Sequence, residues 1–464
     1  MPLVGLILAA GRGSRFKSEI PKPVHPLLGK PMVYYPYRAL KEGLDPLKVG
    51  VIVGYKHHFV RDVFRGYPDV EFFFQENPKG GTADAVLKSF SFLERYGEGF
   101  VAIINGDSPL VLPETLRAGF EKLKNQKLDG LIFTTVLENP TGYGRIARDE
   151  RGRVKAIVEE KDATDGEKKI KEVNGGVYIF RIKPLLEALR EVKPSPVSGE
   201  LYLTEVVKIF YQKGLKIDTF QTDKEELLGV NDRVQFSEAE KILLRRKIGG
   251  LQREGVTVRL PETVYIEWDV KVGKDSEIEP HAVLKGDTTI GENCIIGTGV
   301  VLENCKISDR VRILPYSYLS DCDVKEGATV GPFARVRDNS LIGEEVEIGN
   351  FVEVKKSSIG PRAKAKHLTY IGDAQIGENT NIGAGTVFAN YNGVKKYETK
   401  VGKNVFIGSN SLIIAPRTLK DWSFIAGGSV VNVDIPEGAL AIGRAKLKIL
   451  ENKNPLLKRR DDEK

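Results

Sequence analysis

The sequence predicts two domains of different class. An α/β domain with a mostly parallel, Rossmann-like sheet should span residues 1–228, a linker helix 229–254, and a parallel β-helix of hexapeptide repeats with a C-terminal tail 255–464. Three observations predict this. The 464 residues exceed one ordinary core, since single domains commonly hold ~100–200 residues. The first half alternates short apolar runs with amphipathic segments, as a βα succession does. The second half repeats an aliphatic every six residues, a period that fits neither a helix nor a simple strand.

In the first half, residues 4–10 (VGLILAA), 47–55 (LKVGVIVGY), 70–75 (VEFFFQ), 99–106 (GFVAIING), 128–137 (LDGLIFTTVL) and 175–182 (GGVYIFRI) read as strands. Several are apolar on both faces, which suits a sheet covered on both sides. Residues 32–42, 82–96 and 113–126 carry helical spacing between them. From Val234 to Glu254, apolar positions three and four apart among abundant opposite charges predict an exposed connecting helix.

Beyond Glu262 the repeats take over. Val401, Ile407, Ile413, Leu419, Ile425 and Val431 form an unbroken ladder, and shorter ladders run Val324, Val330, Val336 and Ile342, Ile348, Val354. Each turn should stack its aliphatic on the turn before, burying a continuous column. Residues 388–400 (FANYNGVKKYETK) break the count and should project as a loop.

Composition narrows the function classes. Apolar residues at 41% suffice for two cores, while 29% charged residues and the lack of a long apolar run argue against a membrane span. The opening MPLVGLILAAGRGSRF reads straight into a strand and loop, without a cationic prefix or cleavage site. The net charge of +7 suits anionic small ligands and falls far short of a nucleic-acid-binding composition. Residues 446–464 contribute seven basic and four acidic groups to it. Three cysteines, Cys294, Cys305 and Cys322, show no CxxC spacing and predict inert reduced thiols in a cytoplasmic setting.

The segment LAAGRGSRF ends a strand with Gly11 and Gly13, which let backbone N–H groups approach a phosphate, and Arg12 and Arg15 can pair with its oxygens. Phe16 stands where GxGxxG needs its third glycine, which disfavours a dinucleotide site. Lys22, in the proline-stiffened PKPVHPL, adds a point charge. Asp107 in NGDSP closes an apolar run, where an oxygen ligand for Mg²⁺ is well placed. A tight turn, a solvated basic loop and a capping aspartate are the plain alternatives.

These motifs, together with GGTADAV, TGYGRIARDERGRVKAIVEEKDAT, EVNGGVYIF, ELYLTEVV and GVNDRVQF, resemble the bacterial bifunctional N-acetylglucosamine-1-phosphate uridyltransferase and glucosamine-1-phosphate N-acetyltransferase family, from about Val4 to Ala445. The resemblance implies a left-handed hand for the β-helix. Around the uridine nucleotide and sugar it implies Leu8, Ala9, Ala10, Gly11, Lys22, Gln75, Gly81, Thr82, Asn105, Gly106, Asp107, Gly144, Glu159, Asn174 and Asn231. Asp107 and Asn231 are the implied Mg²⁺ ligands. Arg15 and Lys22 would neutralise charge as a sugar-1-phosphate oxygen attacks the α-phosphorus of UTP and expels pyrophosphate. The stretch QENPKGGT is one residue longer than the usual spacing, and Ser14 and Ser108 replace commoner neighbours.

The run from Gly331 to Gly393 resembles the acetyltransferase site of the same family. It implies His367 as general base, with Arg337, Lys355, Tyr370, Asn381 and Lys396 on glucosamine-1-phosphate. Ala384, Asn390, Tyr391, Ser409, Gly427 and Arg444 are implied for acetyl-CoA, and Lys396 is also placed to meet CoA phosphates. Among five histidines His367 stands out by its cationic neighbours and the repeat-breaking HLTY, and imidazole titrates where an ammonium must lose its proton. Glu353 is expected to orient it through a hydrogen bond.

The resemblance further implies a homotrimer through the β-helix, small-molecule substrates, and no nucleic acid or membrane partner. Two other readings stay open on sequence: a nucleotidyltransferase whose β-helix only regulates or oligomerises, and a non-enzymatic assembly subunit.

Overall fold

The computed structural model describes residues 1–77 and 79–454. It divides into two compact units, Met1–Arg246 and Lys247–Lys464. The division falls inside one helix, Arg233–Arg253. That helix is not simply exposed: Ala239, Ile242, Leu243, Ile248 and Leu251 are buried, so its apolar stripe is used for packing.

In the first unit the strands are β1 Leu3–Ala9, β2 Val49–Val53, β3 Val70–Phe74, β4 Phe100–Asn105, β5 Gly130–Val136, β6 Arg145–Arg148, β7 Val154–Val158, β8 Glu172–Arg181 and β9 Ile217–Gln221. Along the sheet they run β9-β5-β8-β4-β1-β2-β3, with the β6-β7 hairpin branching from β8. Pairings along this path are parallel except those of β8, which is antiparallel to β4 and β5.

Helices cover both faces, which is why β1, β2 and β4 are apolar at consecutive positions. Leu6, Val101 and Ile103 join a core with Leu185, Val206 and Phe210 on one side. Ile7, Ala102 and Ile104 join another with Leu40, Leu116 and Leu123 on the opposite side. The two-residue alternation of strand side chains produces this split. Register then fixes the functional edge: Leu8 lies opposite Asn105, so the carboxyl ends of β1 and β4 open side by side.

The second unit is a left-handed parallel β-helix whose short strands stack into sheets of 11 and 17 strands among the described residues. Successive partners such as Glu347, Lys364 and Asn381 are one coil apart, about three hexapeptides. Ile342, Ile348, Val354, Ile359, Ala365, Ile371, Ile376 and Ile382 all face the interior. Between Asn381 and its partner Phe406 the coil carries a projecting loop, shorter than the expected 388–400: Val387–Ala389 and Thr399–Val401 are strands with Phe388 and Thr399 buried, so the loop lies between them. Corners are turned by left-handed residues, among them Tyr316, Phe333, Phe351 and Leu368. Cys294, Cys305 and Cys322 are free and buried, and Cys305 sits opposite Cys322 on adjoining coils with sulfurs 3.7 Å apart. No helix among the described residues is long and apolar enough to cross a membrane.

Candidate active sites

In the first unit two cavities of about 390 and 240 Å³ open at the carboxyl ends of β1 and β4. The larger is walled by Leu8, Ala9, Ala10, Gly11, Lys22, Gln75, Gly81 and Thr82. The smaller is walled by Gly144, Asn174 and Asn231, with Tyr143 and Thr204. Leu8, Thr82, Asn105, Asp107 and Glu159 belong to both, so Asp107 stands where the two spaces meet. Gly106 lines neither; its N–H donates to the Leu8 carbonyl at 2.9 Å and ties the two strand ends together.

The GRG turn has a specific cause. Gly13 has φ +61°, and a Cβ there would lie 2.7 Å from the Cβ of Lys22. Glycine thus admits Lys22, which is nearly buried in the Pro-flanked turn Lys22–Val24 and pairs with the Asp107 carboxylate. Arg15 donates to the Asn231 side-chain oxygen at 2.8 Å. Two of the three expected phosphate-binding cations, Lys22 and Arg15, therefore each rest on one expected metal ligand, while Arg12 lies over the Tyr55 ring.

Gln75 is buried and donates to the Gly81 carbonyl at 3.0 Å and to Asp84 at 2.8 Å. Gly81 has φ +89°, and any side chain would collide with the Leu201 carbonyl. Thr82 accepts from the Leu203 N–H at 2.9 Å. The 201–203 segment thus forms a wall of the larger cavity. Glu159 accepts from Thr204 at 2.9 Å, and burial pushes its carboxyl pKa above the ordinary range. Asn174 donates to the Tyr178 hydroxyl at 2.6 Å and accepts from the Gly176 N–H at 3.1 Å.

The donor set near Asp107 suits Mg²⁺. A carboxylate and a carboxamide oxygen are hard donors, and Mg²⁺ commonly takes one or two protein oxygens and completes its shell with water and substrate phosphates. No group of three or more His, Cys, Asp or Glu able to hold a metal occurs among the described residues.

In the second unit Arg337, Lys355 and Gly372 stand in register on successive coils, as do Arg335, Glu353 and Tyr370. Lys355 is buried and donates to Asp373 at 3.0 Å. Asp373, also buried, accepts from Asn390 at 2.5 Å, and Asn390 lies 3.5 Å from the Tyr370 hydroxyl. Desolvation lifts the carboxyl pKa of Asp373, yet the hydrogen bonds from Lys355 and Asn390 and the charges of Lys355 and Lys356 prevail and hold it below the usual range. Lys396, in the projecting loop, has its pKa lowered first by the Lys355 ammonium beside it. The two lysines and Arg337 gather positive charge at one place.

His367 Nδ1 lies 2.7 Å from the side-chain oxygen of Asn350, its partner on the preceding coil. The expected hydrogen bond from Glu353 is not made. Glu353 belongs to a strand of the other sheet, and its carboxylate is taken by Arg337 at 2.8 Å. Three positions on from the stacked partners Asn381, Phe406 and Phe424 come Ala384, Ser409 and Gly427. These continue the corner column of Asn350 and His367, while Asn381 lies three positions before Ala384, opposite Lys364. Arg444 donates to the Gly427 carbonyl at 2.7 Å. Tyr391 is exposed at the root of the loop.

Asp84, Tyr143, Asn350 and Asp373 were not singled out from the sequence. Asn350 and Asp373 each lie one coil from a partner that was, and the coil length is the signal that would have found them.

The nucleotidyl transferase family matches residues 4–226. The GMPPB C-terminal domain matches residues 263–368, and the hexapeptide repeat of succinyl-transferase matches 398–432. The bifunctional protein GlmU of Aquifex aeolicus is 52% identical, covering 97% of this chain and 98% of that protein. Those of Hydrogenobaculum sp. and Acetivibrio thermocellus are 45% and 42% identical, each over 97% of this chain and covering 98% and 96% of those proteins. With both cavities, both folds and near-complete coverage in agreement, the chain belongs to the GlmU family of bifunctional proteins.

Proposed function

We propose that the chain is a two-site enzyme of UDP-N-acetylglucosamine synthesis. Its second unit transfers acetyl from acetyl-CoA to glucosamine-1-phosphate. Its first unit transfers uridylyl from UTP to the N-acetylglucosamine-1-phosphate formed, releasing pyrophosphate. The observation that carries the first assignment is the place of Asp107, on the wall common to a larger cavity that can hold a nucleotide and a smaller one that can hold a sugar phosphate.

In uridylyl transfer a sugar-phosphate oxygen forms a bond to the α-phosphorus of UTP as the bond to the β-phosphate oxygen breaks. The nucleophile is already an anion, so alignment and charge neutralisation matter more than a general base. Gln75, Gly81 and Thr82 would hold the base, Glu159 and Asn174 the sugar, and Arg15 and Lys22 the phosphates. Asp107 and Asn231 would hold Mg²⁺, which supplies charge neutralisation on the phosphoryl oxygens when bound.

For acetyl transfer the tautomer of His367 is informative. A carboxamide oxygen 2.7 Å from Nδ1 calls for a proton on Nδ1, which leaves the Nε2 lone pair free. Nε2 would take a proton from the sugar ammonium. The amine then attacks the thioester carbonyl, the new C–N bond forms as the C–S bond breaks, the nitrogen gives up its second proton, which the leaving CoA thiolate takes up, and His367 releases the first proton to water. Arg337, Lys355 and Lys396 would hold the sugar phosphate, and Ala384, Ser409 and Gly427, on the column of His367, would guide CoA.

We assign a trimeric assembly to the β-helix. Tyr316, Phe333 and Phe351 are exposed yet stack on one another with centroids 5.4 and 5.5 Å apart, and the column runs on to Leu368, next to His367. An exposed apolar column beside the base supports a site completed by a neighbouring copy. The free buried cysteines accord with a reducing cytoplasm.

The test supplies glucosamine-1-phosphate, acetyl-CoA, UTP and Mg²⁺ and follows CoA and pyrophosphate separately, with N-acetylglucosamine-1-phosphate added for the second reaction alone. His367→Ala should stop CoA release only, and Asp107→Ala pyrophosphate release only. Loss of both from either change would overturn the two-site reading.

A further inference from the structure

Arg145 is the largest fully buried side chain among the described residues, only 1% exposed. A buried guanidinium is costly unless its donors are used. Its Nη2 meets the Glu160 carboxylate at 2.6 Å, its Nη1 donates to the Tyr143 carbonyl, and its Nε has no partner among the described residues. Glu160 also accepts from the Gly142 N–H at 3.2 Å. One ion pair thereby clamps the turn Gly142–Tyr143–Gly144 against the end of β7, which leads into Glu159 and Glu160.

Both clamped segments wall the smaller cavity: Gly142, Tyr143 and Gly144 from one side, Glu159 from the other. Arg145 itself does not line it. The turn is pinned at one further point, where the Gly144 carbonyl accepts from the Asn174 N–H at 2.8 Å. An apolar residue of similar size could fill the volume without desolvating a charge. What the planar fork adds is direction, since it engages a carboxylate and a carbonyl together.

We propose that Arg145, with Glu160, is a positioning residue for sugar-phosphate recognition, setting the distance between the 142–144 turn and Glu159 without touching substrate. This rests on the reading of the first unit as the uridylyl-transfer site. Of the clamped residues only Glu159 also borders the larger cavity, so the clamp acts chiefly on the smaller one and separates the two substrates of that reaction.

The test uses the full-length chain carrying Glu160→Gln, Arg145→Lys or Arg145→Met. The KM for N-acetylglucosamine-1-phosphate and the KM for UTP are measured by pyrophosphate release, and CoA release is measured on the same samples. Displacing binding groups by a fraction of an ångström to about 1 Å can cost about 10- to 100-fold. The KM for the sugar phosphate should therefore rise about 10-fold in Glu160→Gln and more in Arg145→Met, with Arg145→Lys between wild type and Arg145→Met. The KM for UTP should stay within about 2-fold, because of the clamped residues only Glu159 borders the larger cavity, and CoA release should be unchanged. A parallel rise in both KM values, or wild-type values in Glu160→Gln, would overturn the proposal. Glu160 is partly exposed, so its variant remains informative if Arg145→Met fails to fold. Wild-type chain that releases no pyrophosphate with this sugar phosphate would instead overturn the functional reading, and the clamp's role with it.

Discussion

Replacing Asn350 by alanine removes the acceptor 2.7 Å from His367 Nδ1 and touches no other expected acetyl-transfer residue. In the resting ring the bond is neutral. Once His367 has taken the ammonium proton, the same bond becomes charge-assisted, so its contribution grows toward the transition state. Hydrogen bonds to charged groups contribute about 1.5–3 kcal/mol when well shielded. Both groups are exposed in the single chain, so about 1–2 kcal/mol is the appropriate range, or roughly 5- to 30-fold in kcat. CoA release at saturating substrates reads this loss, with pyrophosphate release as the internal control for folding. Glu353→Gln makes the opposite prediction. Its carboxylate is bonded to Arg337 at 2.8 Å, so its loss should raise the KM for glucosamine-1-phosphate and leave kcat within about 2-fold, the bond being to a binding group. The double variant Asn350→Ala/His367→Ala should be no slower than His367→Ala, because the first change acts only through the second residue. If Glu353→Gln lowered kcat while Asn350→Ala left it unchanged, the assignment of the orienting residue would be wrong.

Two further outcomes follow from the first unit. Burial raises the Glu159 carboxyl pKa, so its contribution to stability is full below the ordinary glutamate pKa and is lost as pH rises through the raised value. Glu159→Gln should therefore raise the unfolding temperature at pH 8 but not at pH 4, by thermal melts, while raising the KM for the sugar phosphate about 10- to 100-fold; equal melting shifts at both pH values would refute the argument. Gly81→Ala must strain a φ of +89° and push on Leu201, at a cost of about 1–3 kcal/mol. It should raise the KM for UTP about 10-fold or more with CoA release unchanged, and an unchanged KM would show that the 201–203 wall does not shape the nucleotide cavity.

Much of the first site was legible because its signals are local. GRGSR, PKPV and NGD each encode a turn at a strand end, and Lys22, Asp107, Arg15 and Asn231 do meet in space. The antiparallel course of β8 was less readable, since its apolar run looks like that of its parallel neighbours. Arg145 and Glu160 escaped notice because charged residues on alternating strand positions usually face water, and only the fold reveals that one of them is interior. In the β-helix the ladder was read clearly where steps of six persist. It was lost after Val354, where the next interior residue, Ile359, comes five positions on because that coil is one residue shorter. The expectation for Glu353 failed for a related reason: nearness in sequence suggested contact, whereas strand alternation and coil register handed His367 to Asn350 instead. The three cysteines behave as the packing residues expected. Of the basic tail, Lys446 to Asn454 is exposed, and residues 455–464 lie outside those described.

The resting pairs in the first site explain how a strongly cationic phosphate pocket can be kept ready without a substrate. Lys22 and Arg15, left unpaired in a half-buried cleft, would repel one another and draw in solvent anions. Asp107 neutralises Lys22, and the Asn231 carboxamide oxygen holds Arg15 by a hydrogen bond, so both cations have a fixed partner. The arrangement also couples two binding events. A phosphate that recruits Lys22 leaves Asp107 without its counter-charge, which raises the affinity of that carboxylate for a cation. A cation on Asp107 and Asn231 in turn frees Lys22 and Arg15 for phosphate oxygens. By linkage the coupling must be equal in both directions, so on the proposed reading the site would favour a metal and a nucleotide together over either alone, and Asp107, on the wall the two cavities share, would put that joint event beside the reacting phosphorus.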